Sequence, residues 1–485
     1  MDNSDFKKHA HEVLDWMADY FKNVESYPVK SPVRPKDIYK QIPATAPAEG
    51  ESFETIFDDF KKIIMPGITH WNHPSFFAFF PANNSYPSIL GEMITATLGA
   101  QCMVWETSPA AAELEQRVME WLGDIIGLPG YFSGVIQDTA STSTICSLLT
   151  AREKISQYRI NRSGYPADTR FTTYASTEAH SSVEKGIKII GLGKESLRKI
   201  AVDRQFAMIP DALEEAISKD IKEGLKPLCV VAVLGTTSST AIDPLKEIGE
   251  ICEKYNVWLH VDAAMAGTAL VLPEKRWMIE GIEKVDTFVF NPHKWMFTNY
   301  DCTAYFVKDK EALIRTFEIL PEYLKTKEDA QVNNYRDWGI QLGRRFRALK
   351  LWFVLRSFGL EGLRERIRLH IELGRYFAEK VKESDEFELL APLPINNVCF
   401  RYRPKNVDDP EALDQLNITL LENLNMTEKV YLSHTKLNDV YTIRMCIGQT
   451  EVEKRHVDAA WDLIVCEAGK LKDSFVAELL SKERG

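Results

Sequence analysis

The sequence lacks the features of several large classes of protein. No uninterrupted apolar stretch approaches the roughly 20 residues that a membrane-spanning helix needs, and the run 229–235 has only the length of a core strand. The first residues carry no apolar region typical of a secretory signal. Positive charge is also scarce, since 59 lysines and arginines stand against 70 acidic residues and give a net charge of −11. That balance argues against binding to a nucleic-acid backbone.

Cysteine pairs of the CxxC type are absent as well. The eight cysteines are scattered along the chain, so neither a zinc knuckle nor a redox motif is predicted. His70 and His73 have metal-like spacing, but no acidic residue or cysteine accompanies them, and no metal site is expected. Scattered thiols are typical of a reducing compartment. We therefore expect a cytoplasmic protein that binds neither nucleic acid nor a membrane.

The order of apolar and polar residues predicts three regions. Residues 1–85 contain a helical stripe over 4–22, a proline-punctuated stretch and a second helix at about 51–65, and we expect them to form an arm that packs on a second subunit. Residues 86–360 alternate helical stretches with short apolar runs, which is typical of an α/β domain with a mostly parallel sheet. Residues 361–485 predict a small α+β domain.

Chemically useful side chains follow three of the apolar runs. Asp262 directly follows one run, Lys294 comes shortly after another, and Thr237 lies in a hydroxyl-rich turn after a third. Ligands of parallel sheets bind beyond the carboxyl ends of the strands. A carboxylate there needs a cationic or hydrogen-bonding partner, and a lysine among aromatic residues has a lowered pKa that frees its amine as a nucleophile.

Pyridoxal phosphate (PLP) requires this combination of groups. The cofactor needs a lysine for a Schiff base and a carboxylate for its pyridinium nitrogen. It also needs a phosphate cradle, and the hydroxyl-rich segment 138–144 precedes a helical stretch, where hydroxyls and free N–H groups bind anions. Each signal alone has an ordinary explanation as a cap, a turn or a surface lysine. Together, at separate strand ends, they predict a PLP site.

Two further features have both a structural and a functional interpretation. His180 follows the strand-like run 171–175; beside a cofactor it becomes a candidate to stack on the pyridine ring, and His293 adjoins the lysine. The polar segment 320–334 carries a single tyrosine, Tyr323. It is either a surface loop or a lid that excludes water and delivers a proton donor, and the sequence leaves both possibilities open.

These motifs resemble those of the group II PLP decarboxylases, most closely the aromatic L-amino acid decarboxylases. The matching stretches include AHSSVEK, LGTTSSTAID, WLHVDAAMAG, NPHKW, DCTAYFVK, LPEYLK and LGRRFRALKLWFVLRSFG, in the same order along the chain. The resemblance implies the aspartate-aminotransferase-like α/β arrangement (fold type I), with an N-terminal helical arm and a small C-terminal α+β domain. It also implies a homodimer whose active site forms between the subunits.

The resemblance also implies roles for individual residues. Lys294 would form the Schiff base, Asp262 would pair with the pyridine nitrogen, and Tyr323 would protonate the carbon that loses carbon dioxide. The remaining cofactor-binding residues that it implies are Thr139, Ala140, Ser141 and Asn291 around the phosphate, and His180, Thr237, Ala264 and His293 around the ring. The substrate-binding residues that it implies are Trp71, Phe79, Phe80, Pro81 and Gly343, with Gln101 and Met103 from the neighbouring chain.

The resemblance implies PLP-dependent decarboxylation of tryptophan, 5-hydroxytryptophan, DOPA, phenylalanine or tyrosine to the corresponding amine and carbon dioxide. An enzyme with this activity is a lyase. Aldehyde-forming relatives replace the lid tyrosine or the stacking histidine, and both are present here. An aldehyde synthase or an aminotransferase is the alternative. Gly343 leaves space for a large ring, and Ala82 lacks a hydroxyl that would reach a ring hydroxyl, so tryptophan or a simple aromatic amino acid is favoured. Asp138 replaces a glycine and adds a negative charge beside the phosphate.

Two readings from other classes fit less well. Gly191-Leu-Gly193 begins like a dinucleotide-binding fingerprint, but the motif ends in Ser196 and precedes a strand-like run, so the required context fails. A non-catalytic scaffold that kept the fold would have lost Lys294 or Asp262, and both are present.

Overall fold

The computed structural model describes residues 1–319, 331–405 and 407–482, with side chains up to residue 472. Most of the predicted lid, including Tyr323, lies outside the described residues. The helices are α1 (Asn3–Lys22), α2 (Phe53–Asp59), α3 (Tyr86–Leu98), α4 (Pro109–Ile126), α5 (Ala140–Ile155), α6 (Arg159–Ser163), α7 (Ser182–Ile189), α8 (Pro210–Lys222), α9 (Leu245–Tyr255), α10 (Pro292–Trp295), α11 (Lys310–Phe317), α12 (Arg347–Glu383), α13 (Pro410–Met426) and α14 (Lys454–Lys482).

The strands are β1 (Ser133–Gln137), β2 (Phe171–Ser176), β3 (Leu197–Ile200), β4 (Lys226–Val233), β5 (Trp258–Asp262), β6 (Thr287–Phe290), β7 (Thr303–Val307), β8 (Phe387–Leu389), β9 (Asn397–Tyr402), β10 (Ser433–Leu437) and β11 (Val440–Cys446). Short 3-10 segments cover Val24–Ser26, Met65–Gly67, Lys194–Ser196, Ala266–Val271, Pro273–Ile279, Ile282–Lys284 and Tyr335–Asp337, and a π-helical turn covers Phe60–Ile64. No helix in the described part of the chain has the length and apolar character needed to span a membrane.

The chain divides into two compact units. One comprises residues 1–81, 376–390 and 400–485, and the other comprises residues 82–375 and 391–399. The three-region division at residues 85 and 360 stays a prediction.

The larger unit is built around a seven-stranded sheet with the order β1-β7-β6-β5-β4-β2-β3. Neighbours from β6 across to β3 run parallel, as the unbroken apolar runs predict, and every residue of β2, β5, β6 and β7 is buried. Strand β7 runs antiparallel to both β1 and β6. The reason is the connection, because only the single helical turn of α10 separates β6 from β7, whereas a parallel return needs a long crossover.

Close backbone approaches bring the strand ends together. Gly267 follows β5, and a Cβ atom there would lie 2.4 Å from the Cβ atom of Phe290, the last residue of β6. Gly235 follows β4 with a φ of +85°, a conformation that favours glycine, and a Cβ atom there would lie 2.6 Å from the Cβ atom of Ala266. The absence of side chains at these two positions therefore lets the segment after β4 lie against the segment after β5, and the segment after β5 lie against the end of β6.

The smaller unit contains the N-terminal arm and most of a second sheet. Helix α1 begins with a capping box between Asp2 and Asp5, and Tyr20 near its end forms a hydrogen bond of 2.9 Å with Nδ1 of His70. The helix predicted at 51–65 is present as α2 followed by the π-helical turn. The second sheet has the order β10-β11-β9-β8, and α13 and α14 pack together. Strand β10 was not predicted, because its sequence SHTKL is largely polar and only its first and last residues are buried.

Candidate active site

Backbone hydrogen bonds connect the carboxyl ends of β4, β5 and β6. The N–H of Leu234 donates to the carbonyl of Asp262, and the N–H of Asn291 donates to the carbonyl of Ala264, both at 2.9 Å. The N–H of Lys294 donates to the carbonyl of Asn291, also at 2.9 Å. The segments that carry the predicted lysine and the predicted carboxylate are thus joined at one edge of the sheet.

Asp262, Lys294 and His180 share one electrostatic environment. The Asp262 side chain is only 5% exposed, and its Oδ1 accepts the N–H of Ala264 at 3.0 Å. Burial lowers the pKa of His180; the Asp262 carboxylate opposes this shift and the Lys294 ammonium adds to it. The imidazole of His180 is therefore neutral near pH 7. Its Nδ1 faces both the N–H and the hydroxyl of Ser182, at 3.1 and 2.8 Å, so its proton is on Nε2.

His293 is a second neutral histidine at this edge. Burial lowers its pKa to about 3, and the charge of Lys294 contributes to the shift. Its Nδ1 accepts the N–H of Cys302 at 2.9 Å, which again leaves the proton on Nε2. The ring lies 4.6 Å, centre to centre, from the ring of Tyr300. His293 therefore offers one N–H donor whose direction is fixed by the start of β7.

The N-terminus of α5 lies beside the end of β1. Thr139 is the N-cap residue, and its hydroxyl accepts the N–H of Thr142. The N–H groups of Ala140 and Ser141 fall in the first turn, where helix geometry provides no partner within the helix. The hydroxyl of Thr303 contacts the carbonyl of Asp138 at 3.0 Å and Oδ1 of Asn291 at 2.8 Å. One buried threonine thus links Asn291 to Asp138, the residue directly before the other three predicted phosphate residues.

The Asp138 carboxylate turns towards this helix rather than away from it. Its Oδ1 accepts the N–H of Thr139 at 2.6 Å, and its Oδ2 accepts Nε2 of Gln341 at 3.0 Å. Burial raises the pKa of Asp138, but hydrogen bonds from Thr142, Thr139 and Gln341 and the charge of Arg347 outweigh burial and leave the pKa below its usual value. Asp138 is consequently a stable anion next to the predicted anion site.

The loops after β2 and β4 also meet. Burial raises the pKa of Glu178, while a hydrogen bond with the hydroxyl of Ser238 opposes the shift. Thr237, next to Ser238, is exposed, and Ala264 is half-buried. The predicted ring-binding residues from three loops are therefore on neighbouring segments.

The predicted substrate residues fall into separate groups. In the smaller unit, Trp71 and Phe79 stack with ring centres 5.9 Å apart, and both are substantially exposed. Phe80 lies below the guanidinium of Arg444, with 5.4 Å between the ring centre and the guanidinium carbon, and Pro81 is buried.

In the larger unit, Gln101 and Gly343 are neighbours. A Cβ atom on Gly343 would lie 3.4 Å from Nε2 of Gln101, and Oε1 of Gln101 accepts the N–H of Arg344 at 2.7 Å. The carbonyl of Met103 accepts the N–H of Arg336 at 2.8 Å. The structure thus brings Gln101 and Gly343 together as two walls of one surface, with Met103 bonded to the same stretch of chain.

Sequence reasoning missed two residues that hold this site together, Thr303 and Gln341. Thr303 lies in the recognised stretch DCTAYFVK, but its importance comes from the antiparallel direction of β7. Gln341 contacts Asp138 across about 200 positions in the chain, and no local pattern signals such a contact.

Known proteins resemble this chain over nearly its whole length. The model of the pyridoxal-dependent decarboxylase conserved domain matches residues 35–403. A tyrosine decarboxylase from Papaver somniferum is 40% identical, covering 96% of this chain and 94% of the relative. A phenylacetaldehyde synthase from Arabidopsis thaliana is 40% identical, covering 97% of both chains.

Among solved structures, tryptophan decarboxylase from Catharanthus roseus, in complex with L-tryptophan, superposes with a TM-score of 0.91 at 38% identity and covers 97% of this chain and 99% of that one. The predicted fold type I architecture and the predicted PLP dependence are confirmed. The chain belongs to the pyridoxal-dependent decarboxylase family.

Proposed function

We propose that this protein decarboxylates an aromatic L-amino acid and releases the corresponding amine and carbon dioxide, with PLP attached to Lys294. The observation that carries the proposal is the common environment of Lys294, Asp262 and His180 at the carboxyl edge of the sheet. Relatives about 40% identical act on tyrosine or form phenylacetaldehyde, and a solved relative holds L-tryptophan. These names support an aromatic substrate.

The described residues fit PLP. Its phosphate needs N–H donors, which the first turn of α5 and the side chain of Asn291 offer. Its ring nitrogen needs a carboxylate partner that favours the protonated form, which Asp262 offers, and its aldehyde needs the amine of Lys294. When bound, PLP supplies an electron sink for the bond that breaks at the α-carbon.

The chain's own groups then prepare that chemistry. The Ala264 N–H holds the Asp262 carboxylate in place, and this carboxylate would favour a protonated ring nitrogen when the cofactor is bound. The neutral imidazole of His180 provides a flat surface on which the cofactor ring can stack, and it adds no positive charge that would compete with the protonated ring nitrogen. Tyr323 is the proposed proton donor to the α-carbon; it lies outside the described residues, and its role comes from the resemblance.

The resemblance assigns the substrate's ring to Trp71, Phe79, Phe80 and Pro81 of one subunit and to Gln101 and Met103 of the neighbouring chain. We propose these roles together with that of Gly343. Gln101 and Gly343 line a cavity of about 380 Å³. Because glycine leaves this wall without a side chain, the surface has room for a large ring. This supports tryptophan or another simple aromatic amino acid as the preferred substrate.

A substrate screen tests the reaction. Tryptophan, 5-hydroxytryptophan, DOPA, tyrosine, phenylalanine, histidine and glutamate are offered to the PLP-loaded enzyme, and amine, carbon dioxide, aldehyde, peroxide and keto acid are quantified. We expect equal amounts of amine and carbon dioxide from one or two aromatic acids, and neither from histidine or glutamate. The Lys294→Ala variant should lose both products and the visible absorbance of attached cofactor. Aldehyde with peroxide, or a keto acid, would instead identify an aldehyde synthase or an aminotransferase.

Gly343→Ser tests the assignment of the substrate surface. The added side chain would crowd Gln101 and shorten the space for a large ring, so kcat/KM for tryptophan should fall roughly tenfold relative to kcat/KM for tyrosine. Gly130→Ser is the matched control, because a Cβ atom at Gly130 has no neighbour within 4 Å. An unchanged ratio in the Gly343 variant would remove Gly343 from the substrate surface.

Asp138→Asn tests the electrostatics of the phosphate cradle. The change removes a negative charge and keeps an oxygen that can accept the Thr139 N–H, so PLP should bind roughly two- to tenfold more tightly, with a smaller gain in high salt. Because the pKa of Asp138 lies below its usual value, the gain should be flat between about pH 6 and 8. Affinity is measured by equilibrium dialysis. Asp211→Asn, in the first turn of α8, is the control, and weaker PLP binding by the Asp138 variant would contradict the prediction.

We also propose that the protein is a homodimer. Tyr86, Leu90, Ile94 and Leu98 recur every fourth residue along α3, and between 42% and 60% of each side chain is exposed. A contiguous apolar stripe of this kind marks an interaction surface. We assign it to a second copy of the chain, because the resemblance places Gln101 and Met103, which follow α3 directly, in the partner's active site.

Substitutions that introduce charged side chains into the apolar stripe of α3 should therefore dissociate the dimer. A Leu90→Glu, Ile94→Glu double variant should raise the dimer dissociation constant roughly 100-fold or more and lose decarboxylase activity at low protein concentration. Light scattering across a dilution series measures the mass. The control is Ile221→Glu, which changes an isolated exposed side chain of α8; an unaltered mass in the double variant would place the interface elsewhere.

A cytoplasmic location is proposed on the state of the thiols. All eight cysteines are free, and seven of them are buried. Free thiols in such number are typical of a reducing compartment.

A further inference from the structure

The first residue of β7 occupies an unusual position in the sheet. Because β7 is antiparallel to both neighbours, it begins where β1 and β6 end. Thr303 pairs with Gln137, the last residue of β1, and the next residue, Ala304, pairs with Phe290, the last residue of β6. Thr303 therefore lies between the two loops that hold the predicted phosphate residues.

The Thr303 hydroxyl contacts both loops at once. Its Oγ1 lies 3.0 Å from the carbonyl oxygen of Asp138 and 2.8 Å from Oδ1 of Asn291, and the side chain is fully buried. A hydroxyl has one proton, so the two oxygens share it. The bond occupies Oδ1 of Asn291, and the amide plane then fixes the direction of the other end of the side chain, the NH2 group.

Cys302, the residue before Thr303, contacts the loop after β6 through its backbone. The N–H of Cys302 donates to Nδ1 of His293 at 2.9 Å, and the N–H of His293 donates to the carbonyl of Cys302 at 3.2 Å. The start of β7 thus fixes the donor directions of both Asn291 and His293.

Accurate placement of Asn291 matters here because the cradle has a competing anion. The Asp138 carboxylate already accepts the Thr139 N–H, which removes one of the donors that a helix N-terminus offers to a phosphate. Fewer donors remain, and each must be well directed to hold a charged group.

We propose that Thr303 is a positioning residue for the cofactor phosphate. Its buried hydroxyl sets the spacing between the start of α5 and Asn291, and it turns the Asn291 NH2 group towards the phosphate. The inference rests on the PLP site proposed above and extends it to a residue that touches no atom of the cofactor.

Thr303→Val tests the inference, since valine keeps the shape of threonine and removes the hydroxyl. PLP affinity is measured by dialysing the holoenzyme against graded PLP concentrations and following the visible absorbance. Affinity for pyridoxal, which lacks the phosphate, is measured in parallel by the same absorbance. Thr173→Val is the matched control, because Thr173 is equally buried in β2 and its hydroxyl has no hydrogen-bond partner among the described residues. Thr303→Ser restores the hydroxyl.

We expect Thr303→Val to bind PLP roughly tenfold or more weakly, with pyridoxal affinity unchanged and with both Thr303→Ser and Thr173→Val close to the unmodified protein. Unchanged PLP affinity in Thr303→Val would overturn the proposal. An equal loss of PLP and pyridoxal would also overturn it, since that indicates a general structural defect. If Thr303→Val does not fold, Thr303→Ala also removes the hydroxyl and takes its place: PLP binding roughly tenfold weaker with pyridoxal affinity unchanged supports the proposal, and unchanged PLP affinity overturns it. No amino acid substrate enters these measurements, so the result is independent of the decarboxylation test.

Discussion

The arrangement of this site depends on a carboxylate that ends a buried strand. Removing the Asp262 side chain from water costs free energy that only hydrogen bonds and opposite charge can recover. The structure meets that requirement with the Ala264 N–H, directly beyond the strand, and with Lys294 in the same electrostatic environment. Gly267 lets the chain after β5 lie against the end of β6. The same requirement that stabilises the carboxylate therefore draws the lysine segment to it.

The antiparallel strand β7 gives the site a second constraint. A sheet of parallel strands alone would leave the loops after β1 and β6 independent of each other, because each would lead into its own helix. Strand β7 begins between these loops, so the backbone of Cys302 and the side chain of Thr303 bind residues of both. A buried ion pair extends this linkage, since Arg344 donates to Glu115 at 2.6 Å and to the carbonyl of Ile136 in β1 at 2.7 Å. The chain segment that carries Gly343 and Gln341 is thereby fixed to the strand that leads into the phosphate cradle.

The sequence alone predicted those parts of the site that follow from a local sequence pattern. Asp262 directly follows one buried apolar run, Lys294 comes shortly after another, and a helix-capping pattern follows β1, so these residues could be predicted to lie together at the edge of a parallel sheet. The roles of His180 and Asn291 needed the family resemblance. Thr303 could not be found in this way, because its position depends on a strand whose direction reverses after one helical turn, and the apolar pattern of a buried strand is the same in either direction.

Contacts between residues that are distant in the sequence could not be predicted from the sequence either. Gln341 meets Asp138, and Gln101 meets Gly343, through the packing of segments that have no shared pattern. Strand β10 was missed for a different reason, since its sequence is largely polar and only its two end residues are buried. The predicted 51–65 helix is divided into α2 and a π-helical turn, a division that its helical spacing did not predict.

Asp138 shows how stability of the fold and affinity for the cofactor oppose each other in this loop. A carboxylate at a helix N-terminus is favourable, because the first N–H groups and the helix dipole are positive. The pKa of Asp138 lies below its usual value, so the charged form stabilises the folded chain; that contribution is present above the pKa of an unfolded aspartate and disappears as the pH falls through the folded pKa. The same charge repels a phosphate. The loop is thus held in shape before any cofactor arrives. The N–H groups in the first turn of α5 and the neutral NH2 group of Asn291, whose direction Thr303 fixes, must then bind the phosphate beside a negative charge.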